Sequence, residues 1–471
     1  MIGYTQKHII QRVIVEVEIN SEYNTDYLHS ENWLNIVRDW VYSTLLPMLE
    51  EIFDKLSLPH EMIRLDQLQL ELRDLSEVHL KNLTNEAHIH IQQLIEKKVK
   101  AVQVDSEFKR LSEGQNTVQA FLFFLKTGRL PWWFMPQPLL EWESQILTAF
   151  AEYPMNLTLV FKDTAVCQRL IGHFSDAFFE EIIRKISFRF YEKTVELHGV
   201  IGELMAVANL SPSKKEKVNY TVKQILLRFF GQDLSIEQLP IYVINHLPEK
   251  QFSVLQKAAF AFANVKSEEK KHFLQLLTIN GQRKKAFFGE SQEVRLNEEA
   301  PEENATIEEI YIANAGLVLL HPFIEYLFEE LKISRNGKLL NPQRATYLLQ
   351  WLVSGQFNAP EYELPLNKLL CGMSPKAPVI EKFKLTKREK EETQQLLEAV
   401  IRHWAVLKNT SPAGLQANFL CREGKLTQKP DGDWLLQIER KSIDILLADL
   451  PWSISMIQLP WMSHFLWVEW E

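Results

Sequence analysis

Near the N-terminus, apolar and polar positions alternate. Val13, Val15, Val17 and Ile19 are interleaved with Ile14, Glu16 and Glu18, which predicts a strand over residues 9–19. The period then changes. Trp33, Ile36, Val37, Trp40, Leu45, Leu49, Ile52 and Phe53 follow helical spacing over residues 26–56, with Asp26 or Ser30 as the cap. Pro47 is expected to kink or divide that helix, because it lacks an N–H and its ring crowds the preceding turn. Leu68, Leu70 and Leu72 return to alternation and predict a second strand over residues 65–72. The result is a strand–helix–strand unit whose strands are free to pair directly. Residues 76–113 are polar and helix-prone, with sparse apolar positions at Val78, Leu83, Ile91, Leu94, Ile95 and Val99 or Val102. Such a helix is largely solvent-facing and a candidate for partner contact or self-association.

From residue 116 the pattern is that of buried helices. Phe121-Leu122-Phe123-Phe124-Leu125 is followed by Gly128, a helix-stopping residue. Short helices continue to residue 285, punctuated by Pro154, Pro212, Pro240 and Pro248. Phe174, Phe178, Phe179, Ile182, Ile183 and Ile186 form one apolar stripe; Ile225, Leu226, Phe229 and Phe230 form another. Residues 290–309 hold eight Glu and one Arg around Pro301, which reads as a solvated linker. Helices follow at 310–332 (through His321-Pro322), 343–354 (ending at Gly355) and 387–408. Strands are expected at 418–426 and 434–440, on either side of Pro430-Asp431-Gly432-Asp433, with shorter ones at 453–459 and 465–470.

The fold expected is therefore α+β, mostly α. An N-terminal strand–helix–strand unit with its exposed helix occupies residues 1–115, and a helical middle domain residues 116–289. The acidic linker covers 290–309. A C-terminal domain of helices and a small antiparallel sheet covers 310–471. No repeat of 20–50 residues is visible.

Composition adds limits rather than a function. With 46% hydrophobic and 24% charged residues, the 471-residue chain is ordinary for globular domains. A net charge of −9 argues against a general nucleic-acid binder, which needs basic surface to neutralise phosphates. The clusters Lys97-Lys98-Val99-Lys100, Lys214-Lys215-Glu216-Lys217 and Arg283-Lys284-Lys285 sit in mixed-sign sequence and read as solvated faces. Residues 1–8 do not form a signal peptide, and no run of about 18 apolar residues predicts a membrane span. Cys167, Cys371 and Cys421 are widely spaced and read as buried thiols of a reducing cytosol.

Catalytic patterns are incomplete. His60-Glu61-Met62-Ile63-Arg64 has Arg64 where a zinc-protease motif needs its second His. His88 and His90 fall on different faces of their helix and share no third ligand. Gly424-Lys425 lacks the rest of a phosphate-binding loop. Ser211-Pro212-Ser213-Lys214 and Lys126-Thr127-Gly128 stand in the wrong order for penicillin-recognising enzymes. No catalytic residue, metal ligand or cofactor site is assigned.

Tryptophan stands out instead. Leu-Pro-Trp occurs at residues 130–132, 450–452 and 459–461. Trp404 and Trp351 lie on apolar stripes and read as core. Trp132, Trp133, Trp452, Trp461, Trp467 and Trp470 are candidates either for core corners or for interface anchors, since tryptophan is enriched at binding hot spots.

Four blocks resemble the tape-measure protein family of bacterial contractile injection systems, the phage-tail-like devices. They are His8-Ile9-Ile10-Gln11-Arg12 with Arg64-Leu65-Asp66-Gln67-Leu68; Phe123-Phe124-Leu125-Lys126-Thr127-Gly128-Arg129-Leu130-Pro131-Trp132-Trp133; Asn314-Ala315-Gly316-Leu317-Val318-Leu319-Leu320-His321-Pro322-Phe323; and Ser411 to the end, through Arg422-Glu423-Gly424. The resemblance implies a non-enzymatic structural protein. It would fix tail-tube length by binding, with its ends against the tail tube, baseplate hub and cap proteins. It implies no cofactor, no nucleic acid and no membrane span, and leaves a homo-oligomer open. Such a protein would be cytoplasmic during assembly and then lie within the particle. A soluble assembly scaffold or chaperone for tail subunits is the alternative.

Overall fold

The computed structural model describes residues 8–10, 13–16, 35–56, 61–65, 89, 92–93, 97, 108–153, 157, 159–232, 234–261, 268–279, 309–357, 359–381, 383–407 and 409–470. Within these the chain is mostly α-helical with small sheets, in line with the expected α+β class. It forms two compact units. One contains Met1–Ala120, Trp132–Gln137 and Ser144–Tyr153; the other contains Phe121–Pro131, Pro138–Glu143 and Pro154–Glu471.

In the first unit, helix runs through residues 35–56. Pro47 neither breaks nor divides it. The backbone widens into a π-turn over Val41–Leu45, where the Leu46 N–H bonds Val41 O, and then continues as α1 (Leu46–Leu56). A wider turn gives the proline ring the room that regular helix denies it. Trp40, Val41, Met48, Leu49 and Ile52 are its buried residues.

The strands of this unit differ from expectation. β1 spans Glu61–Leu65, and its antiparallel partner is β2 (Phe108–Ser112), with Ile63 opposite Arg110; of the strand expected over 65–72 only Leu65 is among the described residues, and it lies in β1. The apolar pattern by itself places 108–112 in a polar helix. The described residues 8–10 and 13–16 carry no strand, so the expected pairing with 9–19 is not formed by them. Strand formation depends on which partner is presented across the ladder, and local alternation alone does not select it. Trp33, residues 66–88, most of the expected 76–113 helix, and His60, His88 and His90 lie outside the described residues.

Helices α2 (Glu113–Thr127) and α3 (Leu139–Glu152) follow. The helices that come next are set by their caps. Asp163 accepts from the Ala165 N–H at 2.7 Å to start α4 (Thr164–His173). Ser175 and Ser187 do the same for α5 (Asp176–Ile186) and α6 (Phe188–Val207). Pro212 opens α7 (Pro212–Phe230), where its missing N–H costs nothing. Then come α8 (Leu239–His246), α9 (Glu249–Ala261) and α10 (Glu268–Ile279). The two aromatic stripes are core. Phe174 stacks on Phe178 at 4.8 Å, and Phe190 on Phe229 at 6.0 Å. A methyl added at Gly199 or Gly202 on α6 would meet nothing within 4 Å. Gly199→Ala is therefore expected to stabilise by about 0.5–1 kcal/mol, measured by urea denaturation.

The C-terminal part of the second unit begins with β3 (Glu309–Ile312), so Glu309 belongs to a sheet; residues 290–308 are outside the described set. A 3-10 turn over Ala315–Leu320 leads into α11 (His321–Glu330). The hairpin β4 (Ser334–Arg335) and β5 (Lys338–Leu339) turns on Asn336-Gly337, both at positive φ, a pairing absent from the strands expected above. Next are α12 (Pro342–Ser354), closed by left-handed Gly355, then α13 (Pro365–Leu370), α14 (Lys387–His403) and α15 (Pro412–Leu415). Residues 416–420 form a π-turn that takes up 418–420 of the strand expected over 418–426, and β6 (Gly424–Gln428) pairs with β7 (Trp434–Ile438) across a turn with Gly432 at φ 91°.

The five-stranded sheet has the order β3-β6-β7-β9-β8, with β8 at Met456–Ile457 and β9 at Leu466–Trp470. It is mixed, not purely antiparallel: β9 runs parallel to β7. Residues 439–465 make the crossover that a parallel pair requires. Trp404, Phe419, Leu436 and Leu466 sit in the shared core of helices and sheet.

Candidate functional site

The most unusual chemistry of the second unit is a buried ion cluster, and none of its residues stands among the sequence candidates. Arg169 on α4 faces inward with Val166, Cys167 and Leu170. Its Nε donates to both oxygens of Glu361 at 3.2 Å, and its Nη1 donates to Leu125 O at 2.8 Å and Lys126 O at 3.1 Å. Its Nη2 donates to Lys376 O. Lys368 on α13 donates to Glu361 Oε1 at 2.7 Å and to Pro375 O at 3.0 Å. His173 Nε2 donates to Glu361 Oε2 at 2.8 Å. The side chains of Arg169, Glu361 and Lys368 are wholly enclosed.

The glycine of the second sequence block explains the closeness. Gly128 ends α2 in the left-handed conformation, φ 72°, which exposes the last carbonyls of the helix to the guanidinium. A methyl there would lie 2.9 Å from Arg169 Nη2 and closer still to Glu361 Oε1. Burial pushes the Glu361 pKa upward, but the hydrogen bond from His173 and the charges of Lys368 and Arg169 outweigh it and hold the carboxyl below its ordinary value. Burial, helped by Arg169 and Arg129 against the pull of Glu361, brings Lys368 down to about 8. Ions out of water cost several kcal/mol each, so the cluster persists only because every charge is matched by partners in fixed positions. It locks the end of α2 and helix α4 to the 361–376 segment.

A second buried pair fixes the C-terminus. Arg422 holds Asp444 through two bonds of 2.7 and 2.6 Å. Asp444 Oδ2 also accepts from the Lys441 N–H at 2.8 Å and from Trp470 Nε1 at 2.9 Å. Burial opposes ionisation of Asp444, yet the Arg422 hydrogen bond and its companions keep the pKa low. A neutral network joins these ions in the interior: Asn314 Nδ2 donates to Asn367 Oδ1 at 2.6 Å and to Gln350 Oε1 at 3.0 Å. Gly316, two residues on, lies so close to Phe419 O that no side chain fits.

The candidate tryptophans divide by exposure. Trp452 Nε1 donates to Leu319 O at 3.1 Å, and its ring meets Phe323 edge-on. Trp461 Nε1 donates to Leu370 O at 2.7 Å, and its ring stacks on Phe328 at 5.6 Å. Both, with Trp470, are partly buried against the core. Trp133 is half-buried under the Arg64 guanidinium, 3.4 Å from the ring centroid. Trp467 is 37% exposed and donates to Asp433 Oδ2 at 2.9 Å, while Trp132 is 39% exposed. So the second Leu-Pro-Trp anchors to α11 through its preceding turn, the third to α13, and Trp132 and Trp467 retain open surface. Among the thiols, Cys167 and Cys371 are buried, but Cys421 is exposed, contrary to expectation.

The blocks that carried the family resemblance thus coincide with these close approaches. A family model described as contractile injection system tape measure protein matches residues 7–470. The chain belongs to that family. No curated protein and no solved structure matches it. As a tape measure family member, it is a structural component associated with the contractile injection particle. Among the described residues no helix is long and apolar enough to cross a membrane.

Proposed function

We propose that this tape measure family member helps build the tail of its particle and sets tube length by binding, without catalysis. The family match over nearly the whole chain carries this reading. Tail tube, baseplate hub and cap proteins are its proposed partners, with assembly beginning in the cytoplasm. Trp132 and Trp467 offer the most exposed indole surface of the candidate set for such contacts.

The folded structure supports an alternative mode of action. Among the described helices α6 has 20 residues, about 30 Å at 1.5 Å per residue, and the helical run through residues 35–56 is of similar length. The neighbours of α6 are α5, with 11 residues and a Ser175 cap, and α7, with 19 residues; both pack their apolar stripes into the core. A scaffold or chaperone that binds tail subunits while folded uses such units directly, whereas a ruler must span by extension or by stacking copies.

Electron microscopy of particles from a strain lacking the gene tests the role. Absent or length-scattered tails are expected, and uniform tails of normal yield would overturn it. Complementation with a chain carrying a helical insertion in residues 76–113 separates the modes: longer tubes mark a ruler, unchanged tubes a scaffold. In the same strain, the Trp132→Ala/Trp467→Ala variant is expected to fold normally and to lower particle yield.

A further inference from the structure

Helices α6 and α7 run antiparallel in the second unit. Phe190, near the start of α6, stacks on Phe229, near the end of α7, so His198, further along α6, comes level with Val222 and Lys223 of α7. On its own helix His198 is flanked by buried Thr194, Ile201 and Met205. Its Nε2 is shut off from water and has no hydrogen-bond partner among the described residues. The cation of this junction is Lys223. Its side chain is 10% exposed, and its Nζ donates to Asp176 Oδ1 at 2.5 Å and lies 4.9 Å from the centroid of the Phe179 ring. Lys223 from α7 and Asp176 from α5 are the charged groups that act on His198. Helix α9, also packed on α6, turns its charged residues Glu249, Lys250 and Lys257 to solvent. The described side chains of α10, residues 273–278, carry no charge.

This junction suits a neutral imidazole and not an imidazolium. A protonated ring is a donor at both nitrogens, and Nε2 has no acceptor to meet. It would also carry a second positive charge near Lys223, whose carboxylate partner is already engaged. Burial foremost, then Lys223, against the pull of Asp176, brings the His198 pKa down to about 4. The ordinary value is 6.5, so between these two the unfolded chain binds the proton and the folded chain does not. Stability from this group is therefore full above pH 6.5 and is lost as pH falls towards 4. The ion locks of the C-terminal part behave differently. Glu361 and Asp444 are held below the ordinary carboxylate range and keep their charge in mild acid.

We propose that the α5–α6–α7 junction is an acid-sensitive joint: uptake of a proton by His198, near the buried Lys223, loosens α6 from α7 while the C-terminal core stays closed. This goes beyond the length-setting or scaffolding role and depends on neither. Urea denaturation of the full-length protein at pH 7.5 and pH 5 tests it against His198→Gln, which cannot take up the proton. Over this interval the folding constant of wild type is expected to fall about thirtyfold further than that of the variant, the factor that follows from a shift between 6.5 and about 4. Hydrogen exchange, corrected for the intrinsic rate, is expected to show protection lost at pH 5 in α6 and α7 of wild type and retained in β6 and β7. Lys223→Met removes the neighbouring cation, leaves Asp176 to receive the imidazolium, and is expected to shrink the acid loss. A parallel fall in wild type and His198→Gln, an unaltered fall in Lys223→Met, or acid exchange that spares α6 and α7 would overturn the proposal.

Discussion

Glu361→Ala is expected to destabilise the second unit by about 3–5 kcal/mol, the cost of removing one partner from a buried charge pair. Among the described residues, Glu361 is the carboxylate that Arg169, Lys368 and His173 share. Its loss leaves two cations enclosed in a medium that penalises them. Chemical denaturation of wild type and variant measures the effect as a fall in midpoint. The double variant Glu361→Ala/Lys368→Met is expected to recover part of the loss, because it removes one of the stranded charges. A single variant within 1 kcal/mol of wild type would refute the cluster as a lock, on the scale of about ±0.5 kcal/mol typical of inert surface changes.

The same cluster sets a pH dependence of unusual sign. The Lys368 pKa in the folded state is about 8, below its ordinary 10.5. Between those values the unfolded chain binds the proton more than the folded one does, so this group makes stability rise with pH across that window. Below pH 8 both states carry the proton and the full penalty is present; above 10.5 it is gone. Comparing denaturation of wild type and Lys368→Met from pH 7.5 to 10.5 isolates the contribution. The difference between the two proteins is expected to shift in favour of wild type as pH rises.

Gly316→Ala has the second large expected effect, a loss of about 3 kcal/mol or more, at the upper end for overpacking. The obstacle is backbone: the new methyl would overlap Phe419 O and lie 2.7 Å from Leu420 Cα. No side chain rotation relieves it. Gly355→Ala is the control. Unlike Gly316, Gly355 is left-handed, φ 67°, and has open space around it, so only the conformational penalty of about 1–2 kcal/mol applies. Equal midpoints for the two variants in denaturation would show that the turn before α11 shifts freely against the π-turn at 416–420.

Much of the fold is legible in the apolar period. Helices α5, α7, α12 and α14 follow stripes visible in the chain, with their ends marked by Ser175, Pro212, Gly355 and the Thr386–Glu389 capping box. The β6–β7 hairpin follows from Asp431-Gly432. The buried clusters are less visible, because charge normally signals solvent. A weak signal exists: Arg169 lies between Cys167 and Leu170 on an inward face, and Lys368 stands within Pro365-Leu366-Asn367-Lys368-Leu369-Leu370. A cation in an apolar stretch asks for a carboxylate, but the sequence does not say which of 61 acidic residues answers.

The chain's own periodicity and breakers determined that it is a mostly helical protein with a small C-terminal sheet, and its blocks of Gly, Pro and Trp pointed to its family. Helical and hairpin bonds are local, so a few neighbouring residues are enough to specify them. Only the tertiary structure decided that β9 joins β7 in parallel, that β1 pairs with β2, and that Glu361 meets Arg169 across 192 positions of chain. Those choices depend on which distant surfaces meet when apolar area leaves water, and burial energy is non-directional along the sequence. Polar partners add direction only after the core has brought them within bonding distance.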